Sequence, residues 1–403
     1  MARVLESVAK ELLAKNGITT PDNFVAKNVE EALAVADKIG YPIIIKALVP
    51  VGKKGKAGAV KPAQDAKELK EVTKHILSLT VHNFPVERVL VERKLEISRE
   101  LYACITFDSS KRMPVVIASN SGGMDIEEIA RNQPEKIIKY HVNMQKGLPQ
   151  FKAKEIWSDL GLTGKCLQKA TGILWRLYQF FTKYDANIIE INPLAVTFES
   201  DVIAAAILMG VDDDALYRQA ELSNRVESGG ERAWRPLTAL EKKMIAVDAE
   251  DPYRGTARYV EIDGGDIGFL CGGGGGSLLV YDSLLRFGGK PANYTEFGGN
   301  PPEAKVIGLV QGVLSKPGVK GFILNVNITN NTRTDVVASG VIRAFKNLGI
   351  DPVKFPNVVR LAGVNDNEAR ALCLDAGIEY YGDDITMEDA ARLIVEKMKS
   401  AYH

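Results

Sequence analysis

The chain has 403 residues, 46% of them hydrophobic and 25% charged, and its lysines and arginines balance its aspartates and glutamates at a net charge of zero. This length exceeds one ordinary hydrophobic core and predicts a globular protein of two or three domains. The neutral balance argues against a large basic surface, so we expect neither a nucleic-acid partner nor a membrane partner. Residues 1–15 form an amphipathic pattern with no signal-peptide or membrane-spanning character, which predicts a cytoplasmic protein.

The first half of the chain alternates helix and strand patterns. Helices are predicted at 3–15, 30–39, 66–79 and 164–184, and strands at 41–46, 86–91, 100–107, 113–119, 187–197 and 202–209. The β-branched content and partial alternation of these strands predict an antiparallel or mixed sheet. A polar, charged stretch at about 220–256 follows. We therefore place two domains at 1–240 and 261–403, with a linker at 241–260.

The second half changes character, because short apolar strands now alternate with helices. Strands are predicted at 267–271, 319–326, 357–361 and 378–381, and helices at 277–287, 334–348, 369–376 and 387–398. Such alternation predicts a parallel, doubly wound α/β domain.

The first candidate site is the segment 46–61, in which a strand ends at Lys46 and a loop rich in glycine and lysine follows. Glycines let backbone N–H groups approach phosphates, and lysines supply positive charge for a polyphosphate. The segment contains no Walker A motif. Composition alone favours a solvated basic turn here.

The second candidate is the run Glu190-Ile191-Asn192-Pro193-Leu194 at the end of an apolar strand. Glu190 and Asn192 are two residues apart, so their side chains point to the same side of the strand. Oxygen ligands of this kind suit Mg²⁺, which takes few protein ligands besides nucleotide phosphates. A strand-end turn explains the pair equally well.

Two polar segments of the second half are further candidates. Glycines 272–276 and Ser277 open a helix directly after a strand, where free N–H groups attract anions. Dinucleotide binding is a weaker alternative, since Glu296, at the expected spacing, sits beside Gly298 and Gly299 in a predicted loop. Residues 327–335 carry amides and hydroxyls at a strand end, which suits either a ligand or a helix cap by Thr332 or Thr334.

Cysteines and histidines offer little catalytic signal. The four cysteines, at 104, 166, 271 and 373, contain no C-x-x-C pair, so we expect small buried residues and no local zinc site. The four histidines, at 75, 82, 141 and 403, lie outside glycine-rich or strand-end contexts. We expect surface or packing roles for them.

Together these segments resemble the β subunit of succinyl-CoA synthetase and, more closely, the corresponding part of ATP-citrate lyase and citryl-CoA synthetase. The resemblance covers almost the whole chain in order. Residues 52–61 match a G-x-x-G-K-A-G-x-V-K loop, residues 122–127 a G-G-x-x-I-E segment, and residues 190–194 the E-I-N-P-L run. This ordered set overrides the interpretation of the loop as a solvated turn and of the E-I-N-P-L pair as a strand-end turn.

The resemblance implies an ATP-grasp domain followed by a flavodoxin-like domain, in an enzyme that joins coenzyme A to an acid at the expense of ATP. It also implies a nucleotide site lined by Lys46, Lys53, Lys54, Gly55, Glu92 and Glu100. Asn192 is expected to bind Mg²⁺. Glu190 is expected to face a phosphohistidine of an α-type partner, which also binds most of the CoA, in a hetero-oligomer. The implied phosphoryl path runs from ATP to that histidine and then to the acid.

Residues in the second half favour citrate over succinate as the acid. Succinyl-CoA synthetases carry an N-I-F-G-G-I-x-R-C-D segment at 327–335, whereas Asn330 and Thr332 match the ATP-citrate lyase pattern. The resemblance places the citrate contacts at Gly276, Ser277, Gly298, Gly299, Asn330, Thr332 and Arg360. The polar Asn and Thr side chains suit a substrate with an additional hydroxyl and carboxylate.

Two positions depart from the family pattern. The citrate-binding arginine of ATP-citrate lyase falls at Leu361, next to Arg360, and the second Mg²⁺ ligand, an aspartate, falls at Ala206. The metal is then either held differently or the nucleotide chemistry is impaired. Alternative functions are therefore a succinyl-CoA synthetase β subunit and a non-catalytic subunit with a decayed nucleotide site.

Overall fold

A computed structural model describes residues 2–52, 54–223, 225–226 and 235–402 of the chain. The chain divides into two compact units, Met1–Pro236 and Leu237–His403. Within the described ranges, no helix combines the length and the apolar character that a bilayer crossing requires.

The first unit mixes helices with strands that are largely antiparallel. Its elements are β1 (Ala2–Val4), α1 (Glu6–Lys15), β2 (Asn23–Ala26), α2 (Val29–Ile39), β3 (Ile43–Ala47), β4 (Val60–Ala63), α3 (Ala66–Leu77), β5 (Thr80–Val81), β6 (Phe84–Pro85), β7 (Val89–Arg93), β8 (Ile97–Asp108), β9 (Met113–Ser119), α4 (Ile126–Asn132), β10 (Ile137–His141), α5 (Gln150–Asp159), α6 (Gly164–Lys183), β11 (Ala186–Thr197), β12 (Val202–Ala204) and β13 (Ile207–Val211).

Two main antiparallel sheets and the short pair β5-β6 build this unit, in keeping with the predicted antiparallel or mixed sheet. The larger has the strand order β1-β13-β11-β8-β9-β10, with β12 beside β11, and the smaller has the order β2-β7-β3-β4. Helices α5 and α6 cover the larger sheet around the buried Trp157 and Phe180. Helices α2 and α3 cover the smaller sheet, and each begins at a side-chain cap, Asn28 or Asp65.

The second unit alternates strands and helices. Its elements are α7 (Ala239–Ala249), β14 (Ala257–Glu261), β15 (Ile267–Gly272), α8 (Gly275–Arg286), β16 (Asn293–Phe297), α9 (Glu303–Ser315), β17 (Gly321–Arg333), α10 (Thr334–Leu348), β18 (Asn357–Val364), α11 (Asp366–Asp375), β19 (Tyr380–Tyr381) and α12 (Met387–Tyr402).

The sheet of the second unit has the order β14-β16-β15-β17-β18-β19 and is parallel except for the edge strand β14. One apolar cluster packs α9, α10 and α11 on one face, and another packs α8 and α12 on the other. This confirms the predicted doubly wound parallel domain. From β15 the chain crosses to β16 on one side and then returns to β17 on the other. The carboxyl ends of these strands therefore form the crevice where such sheets bind ligands.

Three predicted features of the second half are wrong. The supposed linker 241–260 contains α7 and most of β14, because Thr238 and Glu241 form a capping box that starts a helix, and α7 then packs on β14 and α9. Glu296 lies in strand β16 rather than in a loop. Strand β17 runs on to Arg333, so residues 327–333 are extended, and neither Thr332 nor Thr334 caps α10.

Candidate nucleotide and acid sites

A cluster of buried charged side chains lies where α1 meets strands β3 and β7 of the smaller sheet. The Lys46 ammonium contacts Glu92 at 2.7 Å and Glu6 at 3.2 Å, and Lys54 also bonds to Glu6. Lys10 pairs with both carboxylates. Of the predicted nucleotide residues, the structure thus brings Lys46, Lys54 and Glu92 together.

The electrostatics of this cluster favour anions. Burial would lower the pKa of Lys46, but the Glu6 and Glu92 carboxylates outweigh burial and raise that pKa. Burial would likewise raise the pKa of Glu6, yet Lys46, Lys54 and Lys10 hold it well below its usual range. Three lysine side chains face two carboxylates, so basic groups outnumber acidic ones by one among the described residues of this cluster. Burial, and next the Lys46 charge, lower the pKa of Lys10. Lys10 and Lys46 also donate hydrogen bonds to the carbonyl of Ala205.

Glu6 and Lys10 are functional candidates that the sequence analysis missed. Both are almost completely buried, although charged residues rarely are unless they are paired. Their spacing of four residues on α1 puts them on one helix face and was the available signal. That signal is weak, since the same spacing is common on solvated helices.

A glycine turn joins two further predicted residues, Glu100 and Asn192. Gly122 packs so closely on β8 that a Cβ atom there would lie 2.3 Å from the Leu101 carbonyl oxygen. Gly123, at φ +70°, lies directly against the Glu100 carboxylate. The N–H of Gly123 donates to the Asn192 amide oxygen at 2.7 Å. The turn is therefore shaped for close backbone approach at the end of β8.

The lysine-rich loop between β3 and β4 lies beside this turn. Lys56 contacts the Asp125 carboxylate at 2.9 Å, and a Cβ atom on Gly52 would touch Leu208 on β13. Gly55 is exposed and has open space around its Cα. The predicted residue Lys53 lies outside the described residues. The loop thus spans from the buried cluster to the turn that holds Asn192.

Glu190 lies on β11, two residues before Asn192 and on the same side of the strand. The register places it opposite Cys104 on β8 and Leu208 on β13. Burial, followed by the Glu190 charge, raises the pKa of the Cys104 thiol to about 12, and burial chiefly lowers that of the neighbouring Arg3. The Glu190 charge therefore acts on the titration of both neighbours, although burial has the larger effect on each.

The residues at the expected metal position do not form a convincing Mg²⁺ site. The amide oxygen of Asn192 already accepts from Gly123, and its nitrogen donates to the Met124 carbonyl. The Asn192 N–H donates to the carbonyl of Ala206, whose methyl side chain supplies no oxygen. The described part of the chain contains no cluster of three acidic, histidine or cysteine ligands. Mg²⁺ prefers carboxylate oxygens, and Asn192 and Ala206 supply none.

The second unit has a cavity of about 480 Å³ at the carboxyl ends of β15, β16 and β17. Its wall contains Gly272–Gly274 before α8, Gly298 and Gly299 before α9, and Thr332 before α10. Helix N-termini present free N–H groups and partial positive charge, which favours carboxylates. Among the described residues that line this cavity, Arg258 is the only cation and Glu296 the only carboxylate.

The predicted citrate residues divide into two groups. Gly298, Gly299 and Thr332 line the cavity, whereas Gly276, Ser277, Asn330 and Arg360 are absent from its lining. Ser277 is buried behind the wall, where its hydroxyl bonds to Glu296 at 2.7 Å. Asn331 lines the cavity instead of Asn330, in a stretch of β17 where the pairing with β18 is irregular.

Arg360 is buried and holds backbone rather than facing the cavity. Its Nε donates to the Ile385 carbonyl at 2.9 Å and its Nη1 donates to the Val326 carbonyl at 2.5 Å. The placement of Arg360 among the substrate contacts is therefore not supported. Leu361, where the family pattern has an arginine, is fully buried in the core.

The cysteines behave largely as predicted. Cys104, Cys271 and Cys373 are buried, and Cys166 is half-buried. Burial raises the pKa of the Cys373 thiol to about 12, so it is a poor nucleophile near neutral pH. His75 and His82 are exposed, and His141 contacts Asp108 at 2.8 Å. His403 lies outside the described residues.

Comparison with known sequences bears on both units. Residues 3–196 match the ATP-grasp domain, and residues 235–396 match the ATP citrate lyase citrate-binding domain. The succinate–CoA ligase [ADP-forming] β subunit of Ignicoccus hospitalis is 35% identical over 99% of this chain and 100% of its own length. The [GDP-forming] β subunit of Thermus thermophilus is 37% identical over 98% and 99%. The chain belongs to the succinyl-CoA synthetase β-subunit superfamily.

A solved structure of ATP citrate lyase from Methanothrix soehngenii, in complex with citrate and coenzyme A, shares the fold of almost the entire chain. Its TM-score is 0.79 at 18% sequence identity, and the match covers 98% of this chain and 99% of the other. The predicted fold, an ATP-grasp domain followed by a second α/β domain, is thus confirmed. The family is one of ATP-dependent ligases that use CoA, so the prediction of an enzyme is confirmed as well.

Proposed function

We propose that this chain is the nucleotide-binding subunit of an enzyme that uses ATP to join coenzyme A to citrate, completed by an α-type partner that carries a phosphohistidine. The observation that carries the choice of citrate is the cavity of the second unit. It combines helix N-termini, polar side chains and an arginine, and it lies within the segment that matches the citrate-binding domain. An acid with three carboxylates and a hydroxyl suits such a lining.

In this proposal, the first unit binds the polyphosphate of ATP. Lys46 and Lys54 belong to a cluster in which lysines outnumber carboxylates, and the adjoining glycines permit close backbone approach. Both lysines now contact Glu6 or Glu92, so phosphate binding exchanges carboxylate partners for phosphate oxygens. Glu92 and Glu100 act as acceptors for the remaining nucleotide, and Gly55 keeps the loop open.

The proposed phosphoryl path starts at ATP and passes through the partner's histidine. Glu190 faces that histidine and stabilises its positive charge. The phosphoryl group then moves to a citrate carboxylate, and the CoA thiol displaces phosphate from the acyl phosphate, which leaves a thioester. Most contacts to CoA come from the partner. Because the Asn192–Ala206 pair supplies no carboxylate, no step is assigned to a metal held there.

The test is product identification on this chain assembled with its α-type partner. ATP, Mg²⁺ and CoA are supplied with citrate or with succinate, and the thioester is identified by mass spectrometry. Citryl-CoA, or acetyl-CoA formed only from citrate, supports the proposal. Succinyl-CoA alone contradicts the choice of citrate and favours the activity for which the curated relatives are named.

A non-catalytic subunit is a second candidate, favoured by Ala206 and by the fully engaged amide of Asn192. ATP binding separates the two functions. A ligand that binds only the folded state raises its melting temperature, so the catalytic proposal predicts stabilisation of the isolated chain by ATP. If ATP has no effect on the wild type, the substitution Ala206→Asp tests whether one missing carboxylate explains the loss.

A further inference from the structure

We propose that Arg258 binds a carboxylate of the acid in the cavity of the second unit. This inference rests on the proposed function, because it assigns how that same cavity holds its substrate. Arg258 belongs to none of the motifs that carry the family resemblance. It lies on the edge strand β14, upstream of the glycine run that precedes α8.

The strand register puts Arg258 at the cavity. Arg258 pairs directly with Glu296 across the antiparallel strands β14 and β16, so both side chains stand on the same face of the sheet. Both residues line the cavity, and Arg258 is exposed. The guanidinium can therefore meet a ligand without any rearrangement of the core.

The charge of the cavity requires a cation. One Glu296 carboxylate oxygen accepts hydrogen bonds from the Ser277 hydroxyl at 2.7 Å and the Tyr294 hydroxyl at 2.9 Å, which fixes this group in the cavity wall. A fixed carboxylate repels a polycarboxylate unless positive charge lies nearby. Arg258 supplies that charge, and its five N–H donors allow it to serve Glu296 and a substrate carboxylate together.

The other arginine expected near this edge of the sheet cannot take this role. The Arg360 guanidinium is buried and donates to the carbonyls of Ile385 and Val326. Moving it into the cavity would leave those two carbonyls without these donors. The cation therefore reaches the cavity from the edge strand β14 rather than from β18.

The polar groups opposite Arg258 favour an acid with several carboxylates. Asn327, Thr329 and Asn331 line the cavity on β17, across from Arg258 and close to the N–H groups that precede α8. If Arg258 binds one carboxylate, the N-terminus of α8 can bind a second. The amides and hydroxyls of β17 can then bind a third carboxylate or a hydroxyl group of the acid. Arg258 should hence contribute more to citrate than to succinate.

The experiment is calorimetric titration of the full chain with citrate and with succinate, in a buffer without polycarboxylates. The variants are Arg258→Gln, Arg258→Lys and the matched control Arg286→Gln. Arg286 carries the same charge in the same unit, at the far end of α8, roughly 17 Å along the helix from the cavity. Melting temperatures confirm that each variant is folded.

We expect Arg258→Gln to weaken citrate binding about 10- to 100-fold, the usual range for losing a charge-assisted hydrogen bond. Arg258→Lys should lose less, because it keeps the charge and loses only the bidentate geometry. Arg286→Gln should bind like the wild type. Retention of wild-type citrate affinity by Arg258→Gln would overturn the inference and leave the proposed function intact.

The two remaining outcomes bear on the proposed function as well as on the role of Arg258. Wild-type binding of succinate but not citrate, lost in Arg258→Gln, supports the role of Arg258 and contradicts citrate as the acid. Failure of the wild type to bind either acid overturns both, since the cavity then binds no carboxylate substrate.

Discussion

The two units place their charged groups in opposite ways. In the first unit, Glu6, Lys10, Lys46 and Glu92 are buried and satisfy one another inside the protein. In the second, Arg258 is exposed at a cavity whose wall consists mainly of backbone at helix N-termini and neutral polar groups. The first site is therefore coupled to the stability of its unit, whereas the second can change its ligand contacts at little structural cost.

The largest effect is expected from breaking the buried cluster with Glu6→Gln. The substitution leaves three buried or half-buried lysines facing one carboxylate, and loss of one partner of a buried ion pair costs about 3–5 kcal/mol. Hydrogen exchange measured by mass spectrometry should show lower protection throughout the first unit. The control Glu11→Gln, on the exposed side of α1, should cost at most about 1 kcal/mol. Equal effects of the two would contradict the cluster.

A smaller loss is expected from Gly122→Ala, which tests the glycine turn. The added methyl group would overlap the Leu101 carbonyl, and overpacking of this kind typically costs about 1–3 kcal/mol. Because the turn holds Asn192, the affinity for ATP should decrease together with the stability of the unit. Gly55→Ala is the control, since open space surrounds that position. Urea unfolding and ATP titration of both variants provide the measurement, and a neutral Gly122→Ala would show that the turn is not tightly packed.

The pH dependence of the first unit should follow Glu6. Its pKa is lowered in the folded state below the ordinary value of 4.5, so it contributes stability above that pH and loses it as the pH falls towards the folded pKa. One such proton accounts for at most about 1.4 kcal/mol per pH unit. Between pH 3 and 7, the melting temperature of the wild type should fall as the pH decreases, and that of Glu6→Gln should fall less steeply. An equally steep fall in the variant would assign the acid sensitivity to other groups.

Ser277→Ala should have the smallest effect, in keeping with the less coupled second site. It removes one donor from Glu296 and should cost about 1 kcal/mol, measured as a small drop in the melting temperature of the second unit. Citrate affinity should fall far less than in Arg258→Gln, because Ser277 lies behind the wall. A loss as large as that of Arg258→Gln would indicate direct contact of Ser277 with the ligand.

The sequence predicted the fold better than it predicted the contacts. Strong periodicity identified four of the six strands of the second unit, since β-branched apolar runs between glycines have few other interpretations. Strands β14 and β16 and helix α7 were missed. Strand β16 lies beside glycines that indicate loops, and α7 is rich in charged residues.

Site residues were predictable where backbone chemistry demands a particular sequence. The lysine loop and the Gly122–Gly123 turn have such demands, and the structure places both beside Asn192. Glu6, Lys10 and Arg258 carry no such local signal, because their positions depend on packing and strand register between distant segments. Arg360 shows the converse, since an arginine beside the expected position turned inward to donate to backbone carbonyls.

Hydrogen exchange of the full chain, with ATP alone and with citrate alone, most directly tests the assignment of the nucleotide to the first unit and the acid to the second. The account predicts that ATP protects residues 46–61 and 120–125, while citrate protects residues 272–275 and 326–333. Protection of the first unit by citrate alone, or of the cavity segments by ATP alone, would contradict it.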